Sequence, residues 1–140
     1  MARVMAVDPG SRRVGIAVSD PTGTIAQPLS TVAAEPAGTL VERLAALARE
    51  QEAVRLVVGL PRRMDGGQGP EARAARELAD RLRRATGLPV TLVDERLTSV
   101  AAERALLAGG ASRARRRQLS DQVAATLILQ SHLDAQRRTS

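Results

Sequence analysis

The segment Ala6–Asp20, AVDPGSRRVGIAVSD, decides how this chain is read. An apolar run from Arg3 ends in an acid, Asp8. Pro9-Gly10 follows, then Arg12 and Arg13, then a second apolar run to Asp20. Two apolar runs of strand length joined through Pro-Gly predict a hairpin of RVMAVD (3–8) and RVGIAVSD (13–20). That hairpin leaves Asp8 where a strand stops, beside two cations. An Asp ahead of Pro-Gly is also good turn chemistry, because its carboxylate accepts hydrogen bonds from the turn backbone. What else reaches the same sheet edge separates the two readings.

Working outward, Pro21-Thr22-Gly23 is a second turn. Residues 24–32 form a weaker third strand, with Pro28 pointing to an edge position. Glu35-Pro36 opens a helix with Leu40, Leu44, Leu47 and Ala48 at helical spacing. Residues 54–59, VRLVVG, form the continuous apolar strand expected of a parallel neighbour buried on both faces. The loop LPRRMDGGQG (60–69) leads to a helix begun by Pro70 and stopped by Gly87, with Pro89 beyond. Residues 90–94 form a fifth strand. Thr98 or Ser99 caps a helix to Gly109-Gly110. Ser112 caps the last helix, which carries Leu119, Val123, Leu127, Gln130 and Leu133. The predicted fold class is α/β: a five-stranded mixed sheet, an antiparallel meander plus two parallel strands, with helices on both faces. It forms one domain over 1–136, and residues 137–140 form a short frayed tail.

Composition narrows the partners. The chain has 140 residues, 21 basic and 15 acidic, for a net charge of +6. Every basic residue is Arg, which stays charged and grips phosphate in bidentate geometry. A basic domain of this kind suits a polyanion. There is no Phe, Tyr or Trp, so bases cannot be stacked on rings, and recognition should rest on backbone and shape. The lack of Cys excludes thiolate metal sites and nucleophiles. No apolar stretch is long enough to span a bilayer, and Asp8 interrupts the first apolar run too early for a signal peptide. A cytoplasmic location is expected, with no membrane partner.

Three acids stand out. Asp8 ends the first strand, Asp94 and Glu95 end the fifth, and Asp121 lies on the last helix. Its neighbours at i+3, i+4 and i+7 are Ala124, Ala125 and Ile128, so Asp121 shares the face expected to pack on the sheet. Converging carboxylates repel unless a cation sits between them. An all-oxygen site suits Mg²⁺ or Mn²⁺, and a pair of such ions about 3.5–4 Å apart can drive phosphodiester cleavage. Each acid also has a structural reading: Asp8 as a turn residue, Asp94 or Glu95 paired with Arg96 or capping a helix, Asp121 as an acid near a helix start.

DPGSRRVGIAVSD, VVGLPRRMDGGQGP, LVDERLTSVAAERALL and SDQVAATLILQSHLD occur in that order along nearly the whole chain. Together they resemble the YqgF, or RuvX-like, family of the RNase H-like superfamily. The resemblance implies an RNase H-like fold and a metal-dependent nuclease. It assigns Asp8, Glu95 and Asp121 as the catalytic, metal-binding acids. It implies processing of the 5′ end of pre-16S ribosomal RNA, or resolution of Holliday junctions, with 5′-phosphate and 3′-hydroxyl products. The expected partner is nucleic acid, structured RNA or branched DNA, and junction resolution would call for a homodimer. Arg63 departs from the polar residue expected in its loop, and His132 from an aromatic.

Arg12 and Arg13 on the first turn are candidates to hold the scissile strand. Arg62 and Arg63 could clamp a phosphate in a glycine-rich loop. Arg96 adjoins Glu95 and could orient it. Arg113, Arg116 and Arg117 oppose the dipole of the last helix, a mild penalty that points to phosphate contact. His132, the only histidine, could act as a general base, but a surface position near the helix end is the expectation. Two other classes compete. An actin-like phosphotransferase shares the Asp8–Gly10 hairpin but needs two such domains. A silent RNA-binding assembly factor needs only the charge.

Overall fold

The computed structural model describes residues 2–61, 69–95 and 113–139, with side chains in the last segment from Asp121 to Arg138. The elements are β1 (Arg3–Asp8), β2 (Arg13–Ser19), β3 (Ala26–Ala33), α1 (Ala37–Glu50), β4 (Ala53–Leu60), α2 (Pro70–Thr86), β5 (Val90–Asp94) and α3 (Arg113–Thr139). The expected helix between Thr98 and Gly110 lies outside the described residues, as does most of the 60–69 loop.

One five-stranded sheet is formed, in the order β3-β2-β1-β4-β5. β1, β2 and β3 make the antiparallel meander, and β4 and β5 run parallel to β1. Parallel alignment puts the C-terminal ends of β1, β4 and β5 at one edge of the sheet. β3 is an edge strand, which explains how Pro28 is tolerated there. The register slips by one residue where Ile16 pairs with Ser30 and Ala17 with Pro28, so the missing N–H falls at an irregularity.

Strand periodicity splits the core into two layers. Met5, Val7, Val14, Ile16, Leu56, Val58 and Leu60 face α1 and α2. Val4, Ala6, Ala17 and Val57 face α3. With no aromatic rings, the helices approach on small side chains: Ala72, Ala75 and Ala79 of α2, Ala124 and Ala125 of α3 are all buried. α2 begins at Pro70 and ends at Gly87, which adopts the left-handed conformation (φ 71°) and donates its N–H to the Arg83 carbonyl at 2.9 Å.

Gln130 ties α3 to the edge of the sheet. Its Oε1 accepts from Ala26 N at 2.9 Å and its Nε2 donates to the Thr24 carbonyl at 3.1 Å. The residues expected as a tail continue α3, which runs to Thr139, with Arg137 paired to Asp134 one turn earlier and basic residues favourably placed at the helix C-terminus. One sequence expectation is corrected here. His132 is not at the surface but 6% exposed, because its helical position falls on the stripe that packs against the sheet.

Candidate active site

The sheet register carries the acids toward one place. Asp8 pairs with Gly15 of β2, and Val7 pairs with Val58 of β4, so Asp8 lies beside Gly59. Gly59 pairs with Val93 and Leu60 with Asp94, so Glu95 follows at the same edge. Alternation then selects the face. Asp8 has the parity of Val4 and Ala6, Gly59 that of Val57, and Glu95 that of Val93, all on the α3 side. Asp94 has the parity of Val90 and Leu92, which pack on the other face. Of the two acids that end β5, Glu95 therefore belongs to the Asp8 side. Alternation was legible in the sequence, although only the family resemblance had singled out Glu95.

Two glycines make the room. A Cβ at Gly59 would stand 3.3 Å from Asp8 Oδ1, 3.4 Å from Glu95 Oε1 and 2.6 Å from Ile128 Cδ1. The two carboxylate oxygens thus flank a single point above the Gly59 Cα, beneath the Ile128 side chain. Asp8 is 2% exposed. A Cβ at Gly15 would stand 2.7 Å from the Asp121 carbonyl carbon and 3.3 Å from its Cα. The α3 backbone therefore rests directly on Gly15, the cross-strand neighbour of Asp8. A third glycine, Gly10, shapes the hairpin: a Cβ there would lie 2.5 Å from the Arg13 carbonyl oxygen.

Asp121 reaches the same edge, but its carboxylate is engaged. Arg13 Nε donates to Asp121 Oδ2 at 3.2 Å, and the two side chains are 24% and 23% exposed. Sequence reasoning missed this pair, since the partners are 108 residues apart in the chain. Arg12 is exposed on the hairpin. Arg113, Arg116 and Arg117 lie in the first turns of α3, and Arg62, Arg63 and Arg96 lie outside the described residues.

The donor set fits a hard divalent ion. Asp8 and Glu95 offer oxygens only, on either side of a cradle that a single methyl group would fill. Among the described residues, no group of three His, Asp or Glu stands close enough to enclose an ion as placed, consistent with Asp121 being held at Arg13. His132 takes no part. It lies 11 residues along α3 from Asp121, about 16 Å at 1.5 Å per residue. Its pKa is lowered by burial and then by the charge of Arg55. Arg55 itself donates to Thr91 Oγ1 at 3.0 Å.

No described helix is long and apolar enough to cross a membrane. A model of the RuvX family, described as Holliday junction resolvase, matches residues 2–135. A relative from Moorella thermoacetica named "Putative pre-16S rRNA nuclease" is 49% identical over 94% of each chain. A second of that name, from Myxococcus xanthus, is 48% identical over 96% of this chain and 89% of its own length. Among solved structures, Thermus thermophilus RuvC in complex with Holliday junction substrate is similar in fold. Its TM-score is 0.63 at 17% identity, covering 100% of this chain and 98% of that one. The shared architecture agrees with the α/β sheet expected from the sequence, and by the family match and these relatives the chain belongs to the RuvX family.

Proposed function

We propose that the protein is a nuclease that hydrolyses phosphodiester bonds with Mg²⁺ or Mn²⁺ and acts on pre-16S ribosomal RNA. The observation that carries this reading is the meeting of Asp8 and Glu95 oxygens over Gly59. A protein that only binds RNA through its positive charge has no use for a buried carboxylate beside a second acid, whereas a hard divalent ion takes such an all-oxygen donor pair. The relatives named as pre-16S rRNA nucleases support the choice of substrate.

In this reading Asp8 and Glu95 hold the ion, and Asp121, delivered by α3 onto Gly15, completes the set. Bound there, the ion supplies Lewis acidity and a water of lowered pKa. Ile128 and the packed face of α3 keep bulk water from the floor of the cradle. Arg12 on the hairpin, Arg113, Arg116 and Arg117 at the start of α3, and Arg62, Arg63 and Arg96 are the residues that would meet substrate phosphates. Such binding weakens steeply with salt.

Junction resolution is the second reading, favoured by the description of the matching family model, and it calls for paired cuts by a dimer. The test is incubation of wild type and Asp8→Asn with structured RNA, single-stranded RNA and four-way DNA, with Mn²⁺ or with chelator. Metal-dependent cleavage of structured RNA that Asp8→Asn abolishes is expected. Preferential cutting of four-way DNA would replace the RNA reading, and retained cleavage by Asp8→Asn would remove the site assignment.

A further inference from the structure

Arg13 and Asp121 form an ion pair that joins the hairpin to α3. Both side chains are about three-quarters covered, whereas the other described ion pairs lie on exposed helix surfaces between residues three or four apart. By alternation Arg13 has the parity of Gly15 and Ala17, so it rises on the α3 side. The Gly10 turn packed on its carbonyl holds its backbone. Its guanidinium gives Nε to Asp121, while Nη1 and Nη2 make no hydrogen bond among the described residues. That open edge has the fork geometry that suits a phosphate.

We infer that Arg13 is a latch on Asp121: it holds the carboxylate away from the Asp8–Glu95 cradle until a phosphodiester draws the guanidinium off. The inference rests on the proposed metal site and concerns how that site is completed. The α3 backbone needs no movement, because the Asp121 main chain already lies on Gly15 beside Asp8. Only two side chains turn. The guanidinium exchanges one anion for another, so its positive charge stays neutralised. The freed carboxylate turns toward the cradle, where its charge is neutralised by the divalent ion. Ion and nucleic acid then bind with positive coupling, and each tightens the other. An Arg that merely oriented Asp121 as a ligand would do the reverse, since its removal would weaken ion binding.

The test is calorimetric titration with Mn²⁺ alone of wild type, Arg13→Ala, Arg12→Ala and Asp8→Asn, each checked for a native circular dichroism spectrum. Arg12→Ala removes the same charge from the same hairpin without touching Asp121 and controls for the general field. Arg13→Ala is expected to bind Mn²⁺ about five-fold tighter than Arg12→Ala, the worth of a partly covered ion pair. A phosphorothioate RNA hairpin, which resists hydrolysis, is expected to tighten Mn²⁺ binding in wild type and not in Arg13→Ala. Arg13→Lys, which keeps the cation, is expected to retain the coupling in part. Equal or weaker Mn²⁺ binding by Arg13→Ala relative to Arg12→Ala overturns the latch, as does undiminished coupling. Unchanged Mn²⁺ binding by Asp8→Asn overturns the metal site itself, so the two failures are distinguishable.

Discussion

The main chain of Asp121 rests on Gly15, with its carbonyl carbon 2.7 Å from where a Cβ on Gly15 would stand. Helix and strand meet there backbone to backbone, and the same strand residue pairs with Asp8. The absence of one side chain therefore sets how near α3 comes to the acid at the end of β1.

Gly15→Ala should consequently be costly. Neither partner in the clash is a flexible side-chain end, so α3 must lift or β2 must bend. Overpacking of this kind costs roughly 1–3 kcal/mol. Denaturant unfolding is expected to show a lowered midpoint, and Mn²⁺ binding to weaken with it. A midpoint equal to wild type would mean that α3 does not sit on Gly15.

Gly59→Ala separates packing from the site. The new methyl would meet Ile128 Cδ1 and both carboxylate oxygens. Shortening Ile128 to Val removes the Cδ1 clash and nothing else. We expect Gly59→Ala to lose Mn²⁺ binding, and Gly59→Ala with Ile128→Val to regain stability without regaining the ion. The titration decides: recovery of Mn²⁺ binding in the double variant would show that the methyl group does not fill the cradle.

Asp20 tests the opposite end of β2. Its carboxylate accepts from Ile25 N at 2.9 Å, the Thr22 hydroxyl and Thr24 N at 2.8 Å, which together hold its pKa well below the ordinary 3.8. A depressed carboxylate contributes stability that is complete above the unfolded value and fades as pH falls toward the folded one. Asp20→Ala should thus be less stable than wild type at pH 7, with the gap narrowing on acidification below 3.8. Urea midpoints of both proteins across that range check this; a gap that stays constant contradicts it.

His132 gives a second pH signature. Burial, and then Arg55, lower its pKa from 6.5, so the unfolded chain binds its proton more readily than the folded one. Stability should fall as pH drops below 6.5 toward the lowered value. His132→Leu should flatten that limb, read as thermal midpoint against pH. An identical limb in both proteins would place its origin in other groups.

Much of the architecture was legible locally. Arg3–Asp8 and Val90–Asp94 coincide with the strands expected from apolar runs bounded by turns. Pro70 and Gly87 mark the ends of α2 because each imposes a backbone geometry on its own. The sheet-facing stripe of α3 followed from spacing, and Ala124, Ala125 and Ile128 are buried. His132 was misjudged because its place near the end of the chain suggested exposure, while its helical phase placed it against the sheet.

From the linear order came the strands, their alternation and the acids at their ends, because turn geometry and side-chain period are properties of neighbouring residues. Only the tertiary structure decided that Asp8 and Glu95 flank Gly59, that Gly15 carries the backbone of Asp121, and that Arg13 holds its carboxylate. Those relationships join residues tens of positions apart. They depend on sheet register and on the height at which a helix docks, and both are set by packing across the whole core.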